Sequence, residues 1–580
     1  MSSRDSAQPG GADAQARFDL GCALLHAGQP LAALAHLRAA VRSAPHAARA
    51  WQWLADALAQ LRFDVGDAQV EGELVECLGR PDIEPLYLAP AAASLLRADP
   101  AFRLLLRRPD DPPGAVLLDE TVLRHLARPL FLRLLENTFI PEPDFERLVA
   151  AIRRGAILRW RERSLASAGN RALRELLGAL AHQCFLTEYL HEEREDETRF
   201  VDELAADVEA ALAKGGPVND AEIALLACYR PLGTLAHADE LPASGASIVG
   251  RLILRQVREP AEEALIAARL DRLTPIRDEV SLAVQAQYER YPYPRWLRIP
   301  STEGAAPIAL RLRRLFPHAG AAAAVPPRAS MLIAGCGTGR HAAICAALDR
   351  DSRILAVDLS RSSLAYAARR ARESGLGNVE FAQADLLELG RLEARFDIIQ
   401  CSGVLHHLSD PMAGCRVLAG LLAPGGKMKL GLYSEMARRG VAAARRLIAE
   451  RGFAADPSGI RAARAAILAL PPEHPARPVA ASIDFHSLSG CRDLLFHVQE
   501  RCFTLVQIAA MLENLGLEFL GFEFEFAATR LRYVGEFPLD RAATSLANWA
   551  QFEARHPDTF AAMYQFWVYH AGTIGELRER

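Results

Sequence analysis

Lysine is almost missing from these 580 residues, occurring only at Lys214, Lys427 and Lys429. The basic complement is therefore arginine, and with alanine so abundant the bias reads as genomic base composition rather than function. A large excess of charge of either sign is missing too. A formal net charge of −4 provides no broad basic face, which excludes general electrostatic binding of nucleic acid. The ten cysteines contain no CxxC pair and no histidine-flanked cluster, so neither a disulfide framework nor a metal site is expected. No run of about 18 apolar residues offers a membrane span, and the N-terminal stretch lacks the basic start and apolar core of a signal peptide. Reduced thiols in a cytoplasm fit these absences.

What is present describes a globular chain, 51% hydrophobic and 24% charged, too long for one core at roughly 150 residues per domain. Three domains are expected: 1–80, 81–275 and 276–580. In the first, Leu20, Gly21 and Leu24 recur as Leu54, Ala55 and Leu58, and Ala33, Ala40 and Pro45 fall where a tetratricopeptide repeat places small residues and its closing proline. This segment resembles that repeat family, and it reads either as a groove for a peptide or partner protein or as a helical hairpin that only packs. Two copies cannot bury a solenoid core alone, so the segment must lean on the next part of the chain. The second stretch keeps helical three and four spacing between breaks such as PDDPPG and GGPVND, an all-α body. Its charge run HEEREDE, His191 to Glu197, reads as a solvated helix end or loop.

The third part is organised around Met331 to Gly339, MLIAGCGTG: a short apolar strand, then Gly335, Gly337 and Gly339, then a helical RHAAICAAL. Glycines there permit a sharp turn and let a ligand approach the backbone. The strands RILAVDLS, VEFAQAD, FDIIQCSG and GGKMKLGLY come next, separated by helices. That alternation predicts an α/β fold with a doubly wound, mostly parallel sheet. In such sheets ligands bind beyond the carboxyl ends of the strands, where the glycines, Asp358, Asp385 and Cys401 to Gly403 would meet. Asp358, at the end of the second strand, suits a ribose diol. In a dinucleotide fingerprint counted from Gly335 the third glycine falls at Arg340, which disfavours a nicotinamide oxidoreductase. Asp385 stands where an adenine amino group needs an acceptor.

The succession AGCGTG, VDLS, AQAD, SGVLHHLSDP and LAPGGKMKL resembles the motifs of class I S-adenosylmethionine-dependent methyltransferases, from the aromatic lead-in to the C terminus. The resemblance implies a seven-stranded Rossmann-like methyltransferase fold and S-adenosyl-L-methionine as cofactor. It places the methionine part on Gly335, Cys336, Gly337 and Gly339, the ribose on Asp358 and Leu359, the adenine by Asp385 and Leu386, and Cys401 and Ser402 on the same rim. One departure stands out: Ile333 occupies the position where many members carry an acid. With its repeat, QYERYPYPRW and DLLFHVQE, the whole chain also looks like a group of bacterial repeat-containing methyltransferases.

Three further stretches bear on the acceptor side. VQAQYERYPYPRW packs Tyr288, Tyr291, Tyr293 and Trp296 between prolines and reads as a lid over the ligand site. A general base is required only for an acceptor that carries a proton. The candidates are His406, His407 and His497, with His486 behind them and Tyr288 on the lid. An insertion at about 435–505 contributes Asp493 and His497, spaced to share a helix face as an acid–histidine pair. The C-terminal aromatics Trp549, Phe552, Phe560, Tyr564, Phe566 and Trp567 read as core, with QFWVYHA the last strand, antiparallel at the sheet's end. The acceptor is unknown: a small molecule or carrier-held intermediate is favoured, a protein side chain docked by the repeats is the alternative, and a non-catalytic scaffold is the rival reading.

Overall fold

The computed structural model describes residues 9–107, 120–161, 171–524, 527–560 and 562–570. The expected break PDDPPG lies outside them. The chain forms two compact units: Met1–Ala261 with Leu297–Gly304 and Ala481–Leu488, and Glu262–Trp296 with Ala305–Ala480 and Ser489–Arg580.

Helices are the regular structure of the first unit among its described residues. Helices Pro9–His26, Pro30–Ser43, Ala48–Ala59 and Ala68–Gly79 succeed one another through short turns. Proline opens the second of them, and the Asp67 carboxylate caps the fourth by accepting from the Gln69 and Val70 amides. Leu54, Ala55 and Leu58 are buried, but Leu20, the counterpart of Leu54, is 47% exposed, so the two copies are not packed alike. One apolar core runs from Phe18 to Val257. The repeat-like helices therefore bury their faces against later helices of the same unit, as a pair too short for a core of its own must.

HEEREDE is a loop running into a helix start, as expected, with Glu192, Arg194, Glu195 and Asp196 exposed; its two ends, His191 and Glu197, are buried. Glu197 is 3% exposed, accepts from the Tyr229 hydroxyl at 2.8 Å and the Arg194 amide at 2.8 Å, and faces the buried Arg153 at 4.0 Å. Glu193 pairs with Arg230 at 2.6 Å. Glu197 is turned inward because a buried arginine needs a compensating charge nearby. Glu197→Gln keeps the hydrogen-bonding shape and removes that charge; it is expected to cost about 1–3 kcal/mol, read as a lower urea midpoint at unchanged slope. An unchanged midpoint would contradict the assignment.

The second unit holds the sheet expected from the sequence: seven strands, β1 Ser330–Ala334, β2 Arg353–Asp358, β3 Val379–Gln383, β4 Phe396–Ser402, β5 Leu422–Tyr433, β6 Leu517–Phe522 and β7 Met563–His570. Their order is β3-β2-β1-β4-β5-β7-β6, parallel from β3 to β5 and antiparallel at β5–β7 and β7–β6. The last strand is antiparallel but not at the sheet's end; it inserts between β5 and β6, and β6 takes the edge. Its residues account for this position. Tyr564, Phe566, Trp567 and Val568 are almost fully buried, which an edge strand does not permit. Trp549, Phe552 and Phe560 lie in the core beside them. The direction of winding reverses between β1 and β4, the switch point beyond whose strand ends ligands bind in such sheets.

Candidate functional site

The loop after β1 is shaped by positive φ at Gly335 (72°), Gly337 (53°) and Gly339 (78°). Space is as tight as the dihedrals are special: a Cβ on Gly335 would stand 2.3 Å from a Val404 methyl, and one on Gly339 2.4 Å from the Ala367 methyl. The Gly335 and Cys336 amides are tied to the Val357 carbonyl at 2.8 and 2.9 Å. The Gly337 amide donates to Asp358 Oδ2 at 2.8 Å, and the Ser360 amide to Oδ1 at 2.9 Å. The end of β2 thus holds the turn after β1. Burial pushes the Asp358 carboxyl up, against the pull of these amides, and each oxygen keeps a lone pair for a ligand.

Asp385 comes just after β3 and is 1% exposed. Its Oδ1 accepts from the Leu387 amide at 3.0 Å, its own amide donates to Thr274 Oγ1 at 2.8 Å, and its Oδ2 is sealed with no hydrogen-bond partner. Burial raises this carboxyl as well, with the Leu387 amide and the nearby Ser281 hydroxyl holding it down. A buried carboxylate oxygen with only the Ser281 hydroxyl nearby, and no hydrogen bond made, is costly, and an adenine amino group would supply a donor. The residues present therefore fit an adenosyl cofactor: a glycine turn where side chains would collide, a diol acceptor one strand over, and an orphaned acceptor beyond.

Not every predicted residue offers its side chain. Cys336 is buried, its thiol pushed well up by burial. Cys401 lies in the apolar core beside β4 and Leu386 is turned into the same core against Gly414, so each brings only its main chain to the rim. The Ser402 hydroxyl is directed at Met563 Sδ, 3.5 Å away. Leu359 accepts through its carbonyl from Gln383 Nε2 at 2.8 Å. Ile333 is buried on β1, in register beside Gln400, whose Oε1 meets His341 Nε2 at 2.7 Å.

The aromatic lead-in is fastened to the loop. Helix Glu279–Arg290 ends in Tyr291; the Trp296 indole donates to the Thr338 carbonyl at 2.8 Å, the Thr338 hydroxyl bonds to the Pro294 carbonyl, and the Tyr293 carbonyl is the nearest atom to a Cβ on Gly337, at 3.3 Å. Glu289 caps the helix after β2, accepting from the Arg361 amide at 2.7 Å and the Ser362 hydroxyl at 2.6 Å. Glu289 and Thr338 carried no signal in the sequence, because their partners lie on segments far along the chain.

Beyond β4, the rings of Tyr433, His406, His407 and His497 form a column. Tyr433 stacks on His406 at 3.7 Å between centroids, His407 stands edgewise to His406 at 4.4 Å, and His497 stacks on His407 at 3.6 Å. Arg438 closes the far face of Tyr433 and is paired with Glu500 at 2.7 Å. No three metal-ligating side chains assemble among the described residues. The expected Asp493–His497 pair does not form: the helix Leu488–Phe496 ends before His497, and Asp493 Oδ1 instead accepts from the Tyr288 hydroxyl at 2.5 Å. His486 belongs to the first unit, buried against Glu146 at 2.5 Å.

Hydrogen bonds distinguish the three histidines. His406 Nδ1 accepts from the Tyr433 amide at 3.3 Å and His497 Nδ1 from the Gln499 amide at 3.2 Å, so each ring carries its proton on Nε2, sealed and unpartnered. His407 Nδ1 faces the Gln499 carbonyl at 2.7 Å. A carbonyl only accepts, so this nitrogen bears the proton and Nε2 keeps a lone pair. That atom meets no hydrogen-bond partner among the described residues. Burial holds His407 below the usual histidine range, although Asp493 and the Gln499 carbonyl pull it up, and burial drives His497 down to about 2.

Residues 331–426 match the family described as Methyltransferase domain. An uncharacterized protein of Synechococcus sp. is 34% identical over 260 residues, covering 42% of this chain and 60% of that one. The ubiquinone biosynthesis O-methyltransferase of Acinetobacter baylyi is 30% identical over 118 residues, 20% of this chain and 47% of that one. The chain thus spans 60% or less of the length of these curated relatives. Among solved structures, PKMT2 from Rickettsia typhi in complex with AdoHcy is 18% identical over 42% of this chain and 49% of that one, with a TM-score of 0.35.

Proposed function

We propose that this chain is an S-adenosylmethionine-dependent methyltransferase acting on a hydroxyl of a small molecule. The observation that carries the donor half is the orphaned Asp385 Oδ2, standing on the same strand-end rim as Asp358 and the Gly335–Gly339 turn, within the segment that matches a methyltransferase domain. S-adenosylmethionine, when bound, supplies an electrophilic methyl on a sulfonium. Around it the main chain of the glycine turn would hold the methionine part, Asp358 the ribose and Asp385 the adenine amino group.

On the acceptor side, His407 in its Nδ1–H form can take a hydroxyl proton at Nε2, with Gln499 fixing the tautomer and a lowered pKa keeping the ring neutral near pH 7. The sealed Nε2 atoms of His406 and His497 exclude those two from the role. Tyr288, kept protonated by burial and by Asp493, positions that carboxylate beside the histidine column. The likeness to a named O-methyltransferase over part of this unit points the same way.

Isothermal titration with S-adenosylhomocysteine tests the donor half, and absence of binding would sink it. Tritiated S-adenosylmethionine added with cell extract tests the acceptor: label extractable into organic solvent is expected, and label precipitating with protein would establish the protein-directed alternative. Asp385→Asn puts an NH2 where the adenine amino group needs an acceptor, so S-adenosylhomocysteine is expected to bind about tenfold more weakly. Equal affinity would remove Asp385 from the cofactor site.

A further inference from the structure

The helical unit contains a cavity of about 880 Å³, lined among the described residues by Arg62, Arg97, Arg103, Arg107 and Arg147 against Asp64 and Asp144. That volume lies in the range of small-molecule sites. Five guanidiniums at one concavity are conspicuous in a chain whose net charge is −4.

The acids do not neutralise them. Asp144 is taken by Arg97 at 3.0 Å, and Arg97 also pairs with Glu142. The other four arginines have no carboxylate partner among the described residues, where the exposed Asp64 is the remaining acid of the lining. Two of the four are held in place. Arg62 donates to the Leu61 and Ala59 carbonyls at 2.7 and 3.0 Å, and Arg103 to the Arg97 and Ala98 carbonyls at 3.0 and 3.3 Å. These carbonyls lie at the C-terminal ends of helices Ala48–Ala59 and Ala89–Ala98, where main-chain oxygens lack helical donors and partial negative charge gathers. Each guanidinium has five N–H donors, so both keep donors in hand while their positions are fixed. Arg107 and Arg147 are exposed, and neither has a partner among the described residues.

Like charges on a concave wall focus one positive potential, and nothing in the described wall discharges it. Guanidinium groups match phosphate oxygens two at a time, and held in place they lose little freedom on binding. We propose that this cavity binds a small molecule carrying two or more phosphate groups, independently of any chemistry at the sheet. Several guanidiniums, two pre-positioned and two free to close, suit an oxyanion cluster better than a single carboxylate.

The test is titration of the full chain with inorganic pyrophosphate, in the absence of S-adenosylmethionine, at about 50 and 200 mM salt. Saturable binding that weakens with salt is expected, with citrate at least tenfold weaker. Arg107→Gln/Arg147→Gln removes two exposed charges that have no partner among the described residues; it should weaken pyrophosphate at least tenfold, and Arg107→Lys/Arg147→Lys should restore most of the loss. An unchanged thermal transition in both variants separates lost binding from lost folding. No binding, affinity unaltered by the glutamine pair, or citrate equal to pyrophosphate would each overturn the proposal. S-adenosylhomocysteine binding measured on the same samples reads the sheet site separately, so either assignment can fail without the other.

Discussion

Asp358→Ala is expected to weaken S-adenosylhomocysteine on the order of 10²–10³-fold in a calorimetric titration. Two effects add. The carboxylate would accept charge-assisted hydrogen bonds from the ribose, each worth roughly 1.5–3 kcal/mol, and the same oxygens now hold the Gly337 and Ser360 amides. Removing them frees the turn whose shape presents the main chain to the cofactor. Asp358→Asn separates the two: its side-chain oxygen still accepts one amide, so an intermediate loss is expected. The pH dependence has a definite sign. Burial raises this carboxyl, so cofactor affinity should begin to fall, as pH is lowered, above the ordinary carboxylate range. Affinity within threefold of the unsubstituted chain would remove Asp358 from the site.

His407→Ala is expected to lower kcat by about 10²–10⁴-fold, the usual contribution of a positioned base, while cofactor affinity changes little. His406→Asn and His497→Asn, with sealed Nε2 atoms, should disturb stability more than chemistry. Because burial holds His407 below the usual histidine value, kcat should stay level down to about pH 6.5 and fall only below it, as the ring protonates and loses its lone pair. An acidic limb beginning above neutrality, or a kcat unaffected by His407→Ala, would dismiss His407 as the base and leave the methyl acceptor as a group that needs none.

Much of the second unit was legible because its determinants are local. A strand running into Gly335, Gly337 and Gly339 announces a turn that only glycine permits, and strands alternating with helices announce a parallel sheet. Asp358 and Asp385 stand where strand ends place them, whatever the remaining packing. The antiparallel direction of the last strand was also legible. Its place inside the sheet was not, since edge and interior differ only in what lies on the far side.

The histidines mark the boundary of what a sequence can say. LHHL and the later His497 identified three rings without ranking them, and spacing suggested an Asp493–His497 pair that the helix end at Phe496 prevents. The ranking comes from one main-chain carbonyl, that of Gln499, which every residue possesses and no side chain reports. The acidic run at His191 to Glu197 is largely exposed as expected, but the burial of Glu197 at its end was not legible for a like reason: Arg153, which it faces, lies on another helix. The sequence alone therefore determined the sheet, the glycine turn and the two acids, each a property of neighbouring residues. Tertiary structure alone decided tautomers, sealed atoms and ion-pair partners, because these depend on groups that only folding brings within hydrogen-bond distance.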